Sequence, residues 1–461
     1  MTRMARLVLL CSLLLSGCSS LTRTPYMPPN PPMPARYEHA RADDTIAARP
    51  SQWWREFNDP GLNAVVDLAV ARNPDLAAAA VRVRRATLQA RRAGVAMLPV
   101  PSGTASTSLS RPFSGDLQRT TETATSSVSV AWEIDLFGRL AAERDAAVFE
   151  AHATAEDRDA VRLSLIGTAA NLYWQIAFAN ERLALAEQSL AYAQRTRSLV
   201  ETQYRAGGVS GLERREVEQV VAAQEAAITQ LRQTRTEARE ALRVLLDGAP
   251  TPAREPQALS RATVPAVAAG LPAELLGRRP DLRAAELRLR RTLASSDATR
   301  LSYYPTLSLT GSLGGSSTAL LNLLANPVAT LGSGLTFPFL NVPAMRLDTQ
   351  IARTQFEEAA ILFRKSLYTA LAEAENALSA RTNLAAQGAA LRRSREAAIE
   401  AERLYEIRYR TGAVPLRTWL DAQERRRQAD IDLAANSLAR LQNHVALNQA
   451  LGGGVGLDAS R

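Results

Sequence analysis

From Leu165 onward the apolar positions step by four and three in turn, through Ala169, Leu172, Ile176, Ala179, Leu183, Ala186, Leu190, Ala193, Val200 and Tyr204, with only Arg197 breaking the stripe. A repeat of 3.5 residues is the seam of a coiled coil. Val217, Val221, Gln224, Ile228, Leu231, Arg235, Ala238, Leu242 and Leu245 carry the same spacing beyond Gly207-Gly208, so the two runs predict a helical hairpin that turns at those glycines. The second half predicts another, with a helix over 345–411, a turn at 412–415 and a return helix to 451. Its stripe of Phe356, Ala360, Phe363, Leu367, Ala370 and Ala374 is richer in alanine, which lets helices pack closely on more than one flank. A helix over 139–206 would be on the order of 100 Å long, more than a globular domain needs.

Ahead of each hairpin the period changes to two. Val128, Val130, Trp132 and Ile134 alternate with Ser129, Ala131, Glu133 and Asp135, after a stretch rich in Ser, Thr and Gly that begins at Pro99. Leu307, Leu309 and Leu313 follow Pro305 in the second half, and Leu331, Leu335, Phe337 and Phe339 again fall on alternate positions. Each half therefore predicts one β-hairpin, over about 101–134 and 305–340.

The two halves are copies. Pro74-Asp75-Leu76 recurs as Pro280-Asp281-Leu282 and Pro99 as Pro305, both shifted by 206. Tyr204-Arg205-Ala206-Gly207 is answered by Tyr409-Arg410-Thr411-Gly412 at a shift of 205. That period is too long for a solenoid and indicates a duplicated half-domain. If the four strands meet lipid they must close, because a bilayer tolerates no open sheet edge. Four cannot close; two copies give a barrel filled by side chains, and three give one wide enough for a lumen. The strand count thus predicts a homotrimer at least, with a soluble β-sandwich as the alternative.

The N-terminus sets the compartment. Arg3 and Arg6, an apolar run from Leu7 to Leu15, and Leu15-Ser16-Gly17-Cys18 have the order of a secretory signal, too short to span a bilayer. The small residues ending at Cys18 resemble a bacterial lipobox, which predicts a signal over 1–17, an N-acyl and S-diacylglycerol lipid on Cys18 and a Pro-rich tether after it. Cys11 falls in the discarded segment, which leaves no pair for a disulfide. The formal charge of +9 comes from arginines scattered among glutamates along helices, a solvated face and not a nucleic-acid patch. Enzymatic constellations are missing: His39, His152 and His444 lie far apart without metal-ligand spacing, and no nucleophile elbow, phosphate loop or dinucleotide fingerprint occurs.

Trp53-Trp54, Phe57, Asp59-Pro60, Leu62, Asn73-Pro74-Asp75-Leu76, the run from Trp132 to Arg139 (WEIDLFGR), and Arg278-Arg279-Pro280-Asp281 resemble the outer-membrane efflux protein family, in its TolC-like, lipid-anchored NodT/OprM branch. The resemblance covers the chain from about Trp53 to Leu451. It implies a mainly α fold with a small β part: duplicated helical hairpins forming a periplasmic α-barrel, and four strands per protomer in a trimeric twelve-stranded outer-membrane β-barrel. On this basis 18–60 is the acylated tether, 61–255 and 256–451 the two repeats, and 452–461 a flexible tail. The implied function is a passive outer-membrane channel that receives small molecules from an inner-membrane pump through a periplasmic adaptor. The alternatives are a periplasm-spanning coiled-coil lipoprotein and the duct of a type I protein secretion system. No cofactor beyond the Cys18 lipid and no nucleic-acid partner is expected. The resemblance also implies two sets of site residues. Tyr204, Arg205, Gly207, Arg410 and Gly412 would meet the adaptor, and Asp421 with Arg417, Thr418, Tyr409 and Glu213 would form the periplasmic gate, Tyr409 bonding Glu213 when closed.

Overall fold

The computed structural model describes residues 22–29, 31–41, 52–111, 120–252, 254–260, 263–318 and 327–453. Cys18 lies outside them. In chain order the elements are α1 (Pro60–Arg72), α2 (Pro74–Val95), β1 (Val100–Ser110), β2 (Thr121–Ile134), α3 (Arg139–Arg205), α4 (Gly211–Leu245), α5 (Leu275–Arg278), α6 (Pro280–Leu301), β3 (Thr306–Ser317), β4 (Val328–Thr336), α7 (Val342–Arg410) and α8 (Leu416–Ala450). The chain divides into two compact units, and neither is a sequence repeat. One comprises Met1–Pro31, Val81–Glu156 and Ala284–Ser366; the other Pro32–Ala80, Asp157–Arg283 and Leu367–Arg461. Each takes chain from both halves, and the division falls inside α2, α3, α6 and α7.

The first unit carries the sheet. Its order is β1-β2-β3-β4, all antiparallel, so the two hairpins join edge to edge through β2 and β3, from Ala124↔Ser317 to Ile134↔Leu307. Cross-strand partners share a face. One face carries Val128, Val130, Trp132, Leu307, Leu309, Leu313, Leu331 and Leu335. The other carries Ser, Thr and Gly almost throughout: Ser102, Thr104 and Ser106 bond Ser129, Ser127 and Thr125 through their hydroxyls at 2.8, 2.9 and 2.7 Å. Neither face is covered within the protomer, since Leu331 is 94% exposed, Val128 62% and Leu313 57%, and every residue of β1 is exposed. A soluble sandwich buries one face of each sheet; among the described residues of this sheet only Ala124 is buried.

The strand-to-helix corner explains the WEIDLFGR run. Asp135 accepts from the Leu140 and Ala141 amides at 3.2 and 2.8 Å, capping α3, while Arg139 pairs with Glu133 and Glu143, both at 2.7 Å. Phe137 packs on Tyr304, ring centroids 5.0 Å apart. Alanines let α2 and α3 approach here, with Ala86 and Ala90 against Ala151. The expected tether is docked: Thr22 donates to the Phe137 carbonyl at 2.8 Å, and Thr24 binds Asp297 through its amide and hydroxyl at 2.8 and 2.6 Å. Phe337 and Phe339 fall outside the strand predicted for them. β4 ends at Thr336, because Pro338 has no amide for the ladder and opens a single 3-10 turn, Pro338–Leu340.

The second unit holds the main core and both helical hairpins. Asp59 caps α1 through the Gly61 and Leu62 amides at 2.9 and 3.1 Å and accepts from the Tyr173 hydroxyl at 3.1 Å. That cap turns Leu62, Val65, Val66 and Ala69 onto Trp53, Trp54, Phe57 and the α3 face of Ala169, Ala170 and Trp174. Full burial of each valine or leucine contributes about 1.5–3 kcal/mol. Trp53, Trp54 and Phe57 lie within 18–60, so the C-terminal end of the expected tether is core.

The duplicated Pro-Asp-Leu has a structural purpose. Asn73, just ahead of the first copy, caps α2 through the Leu76 amide and donates to the Leu245 carbonyl, both at 3.0 Å. Arg279, at the equivalent place 206 residues on, bonds Asp281 at 2.7 Å, Glu373 at 2.7 Å and the Ala450 carbonyl at 3.2 Å. In each half one side chain ties the start of a short helix to the end of its return helix. Replacing Arg279 with Gln should cost about 2–3 kcal/mol, read as a lower midpoint in urea; an unchanged midpoint would show that this tie is idle. Gly452 and Gly453, expected to be flexible, are buried with φ of +87° and +56°, and a Cβ on Gly452 would meet the Arg278 backbone at 2.9 Å. They form a fitted turn against α5.

Candidate functional site: the helical hairpin tips

Both hairpins form as the 3.5-residue stripes require. Val217, Val221, Gln224, Ile228, Leu231, Ala238 and Leu242 are buried along α4, facing Leu183, Ala186, Ala193 and Val200 of α3. Gly207 and Gly412 turn the chain with φ of +72° and +75°, the left-handed conformation in which a Cβ is strained.

The tips are joined by a cluster in which Val200 and Val217 of one hairpin meet Tyr409, Leu416, Trp419 and Leu420 of the other. Trp419 is 2% exposed; it stacks on Tyr409 at 5.1 Å with the planes 26° apart, and meets Tyr192 edge-on at 6.2 Å. Polar ties ring this centre. Tyr409 donates to Gln203 Oε1 at 2.7 Å, Tyr192 to Glu406 at 3.2 Å, and Arg417 lies 3.8 Å from Glu216. Each joins one hairpin to the other.

The Tyr409–Glu213 bond implied by family resemblance does not form; Gln203 takes its place. Glu213 caps its own helix, accepting the Ser210 amide at 3.0 Å and the Ser210 hydroxyl in a capping box, which holds its carboxyl below the usual range. The two tip tyrosines differ as well. Tyr409 is buried, whereas Tyr204 is 40% exposed, with the Arg214 guanidinium 5.6 Å from its ring. Arg214 and Trp419 are equivalent positions at the 205-residue shift, so one residue type decides which tyrosine is locked. Arg205 and Arg410 project outward, each paired one turn back, with Glu201 at 3.4 Å and Glu406 at 2.7 Å.

Asp421 is half-exposed and pairs with Arg417 at 3.1 Å. The Thr418 amide closes the first turn of α8 on the Pro415 carbonyl at 3.2 Å. Asp421 and Arg417 line a cavity of about 770 Å³ between the hairpins, with Glu216, Glu402, Arg426 and Asp430 on its walls. The wall presents charges of both signs to this space. The lining as a whole holds five arginines and five carboxylates, so its charges balance, with Arg417 set between Asp421 and Glu216.

Comparison with known proteins gives the setting. The outer membrane efflux protein family matches residues 65–248 and again 271–453, one match per half. The pyoverdine export outer membrane protein OpmQ of Pseudomonas putida is 34% identical, with 96% of each chain covered. The toluene efflux pump outer membrane protein TtgC, also of Pseudomonas putida, is 28% identical over 98% of this chain and 96% of its own. The open-state MtrE outer membrane channel of Neisseria gonorrhoeae superposes with a TM-score of 0.82 at 26% identity, covering 95% of this chain and 99% of that one. The fold is that of a trimeric channel with a helical periplasmic barrel and an outer-membrane β-barrel, which accounts for a sheet uncovered on both faces. The chain belongs to the outer membrane efflux protein family and works as an outer-membrane efflux channel.

Proposed function

We propose that this channel is the outer duct of a tripartite assembly, closed at rest by the lock around Trp419 and opened when a periplasmic adaptor engages the tips. The observation that carries this reading is the set of ties between the two hairpins. Tyr409–Gln203, Tyr192–Glu406 and the Trp419 cluster are confined to the tips, and each joins one hairpin to the other. Arg205, Gly207, Arg410 and Gly412, exposed at the ends of the hairpins, are the surface that an adaptor's own helical hairpin would meet, and an inner-membrane pump would supply the cargo.

Cargo passes through without chemical change. The inner wall of the barrel is the hydroxyl face, because a barrel in lipid turns its apolar face outward. Among the described residues of that face only Glu133 is charged, and it is paired with Arg139. A wall of Ser, Thr and Gly does not sort solutes by charge. That suits relatives whose names refer to pyoverdine in one case and toluene in another. Selection is then left to the pump.

Acylation of Cys18 completes the picture. Thr22 is fixed at the strand-to-helix corner, and four residues reach at most about 14 Å, so a lipid on Cys18 would enter the bilayer beside the barrel.

Opening is testable in cells. With Tyr409→Phe the bond to Gln203 is lost, about 1 kcal/mol in each protomer, and cells should become more sensitive to vancomycin, which intact outer membranes exclude. Sensitivity equal to wild type at equal trimer abundance would remove Tyr409 from the lock.

A further inference from the structure

The geometry points to a binding site for a phosphate-bearing lipid headgroup at the periplasmic end of the sheet, built from Arg346 and Arg353 of α7 with Arg300, Tyr303, Tyr304 and Phe339. These residues line a cavity of about 540 Å³ where α6 enters β3 and β4 leaves for α7. The inference rests on the placement of the sheet in the outer membrane.

Its level in the bilayer follows from the aromatic residues around it. Trp132, Phe137, Tyr303, Tyr304, Phe337 and Phe339 gather at this end of the strands, and barrels carry such girdles at the membrane interface, where headgroups lie. At that depth a cavity with apolar and cationic walls meets amphiphiles whose charge sits next to their acyl chains.

The charge is available. Arg300 is engaged by Asp297 at 2.9 Å and by the Thr22 carbonyl, which fixes it as one wall. The nearby carboxylate of Asp348 accepts from the Tyr303 hydroxyl at 2.5 Å. Arg346 and Arg353 have no ion-pair partner among the described residues, though elsewhere on these helices arginine is repeatedly paired with Asp or Glu. They lie two helical turns apart, on the same face of α7. Two unpaired guanidiniums beside an exposed Phe339 fit a phosphodiester followed by acyl chain, since guanidinium binds phosphate by paired, charge-assisted hydrogen bonds.

The test uses the purified, delipidated trimer in non-ionic detergent, with phosphatidylglycerol added and bound lipid counted by native mass spectrometry. Wild type should retain phosphatidylglycerol about tenfold more tightly than Arg346→Gln/Arg353→Gln, the change expected when charge-assisted bonds are lost. Arg346→Lys/Arg353→Lys should recover part of the difference. Diacylglycerol, which lacks the phosphate, should not be retained, and excess inorganic phosphate should not displace the lipid. Equal retention by the Gln variant, retention of diacylglycerol, or displacement by inorganic phosphate would each overturn the assignment. The last two use wild-type protein only, so they hold even where a variant fails to assemble.

Discussion

Trp419→Ala is expected to lower stability by about 3–5 kcal/mol, the usual cost of emptying a buried aromatic site, and to leave the channel open. Both effects have one origin. Trp419 fills the only aromatic cluster among the described residues that joins the two hairpin tips, so its loss removes the stack on Tyr409 and the edge contact with Tyr192 together. Trp419→Phe keeps a ring in place and should fall between wild type and alanine. A folded Trp419→Ala trimer with wild-type melting and wild-type conductance would show that the tips are held by something else.

The second large effect is with pH. His444 lies 3% exposed among Trp53 and Phe57, with ring centroids 5.6 and 4.9 Å away, and burial lowers its pKa from 6.5 to about 4, against a smaller opposing bond to Pro265. The unfolded chain takes up a proton near pH 6.5 while the fold refuses it until about pH 4. Stability from this residue is therefore complete above pH 6.5 and declines as pH falls, by about 3 kcal/mol once pH 4 is reached. Carboxylates titrate in the same range, so the informative quantity is the difference between wild type and His444→Gln. The variant should lose less stability between pH 6.5 and 4; parallel curves would mean that His444 is already solvated.

Much of this architecture can be read directly from residue spacing. The 3.5-residue stripe places the seam of α3 against α4 nearly residue for residue, since burial alone decides which side of a long helix faces inward. Alternation locates β2, β3 and β4, whereas β1 follows only from the Ser-, Thr- and Gly-rich stretch ahead of β2; the pattern runs on to Phe337 and Phe339, but Pro338 ends the ladder. The tips carry a further local signal. Ser210-x-x-Glu213 is a capping-box signature, and local hydrogen bonding commits Glu213 to its own helix before Tyr409 can claim it. Alignment at the 205-residue shift sets Trp419 opposite Arg214, which marks the second tip as the buried one. The partnership of Tyr409 with Gln203 and the three-way tie of Arg279 depend on how separate helices meet, and no local pattern encodes that.

Single-channel conductance of the purified trimer in a planar bilayer, wild type beside Asp421→Ala, tests the central claim most directly. Wild type should show a small conductance with a cation preference to which the Asp421 carboxylate contributes. The variant should show a larger conductance with weaker cation preference. No conductance from either, with trimers shown to be inserted, or identical conductance and ion preference in both, would contradict a channel gated at these tips.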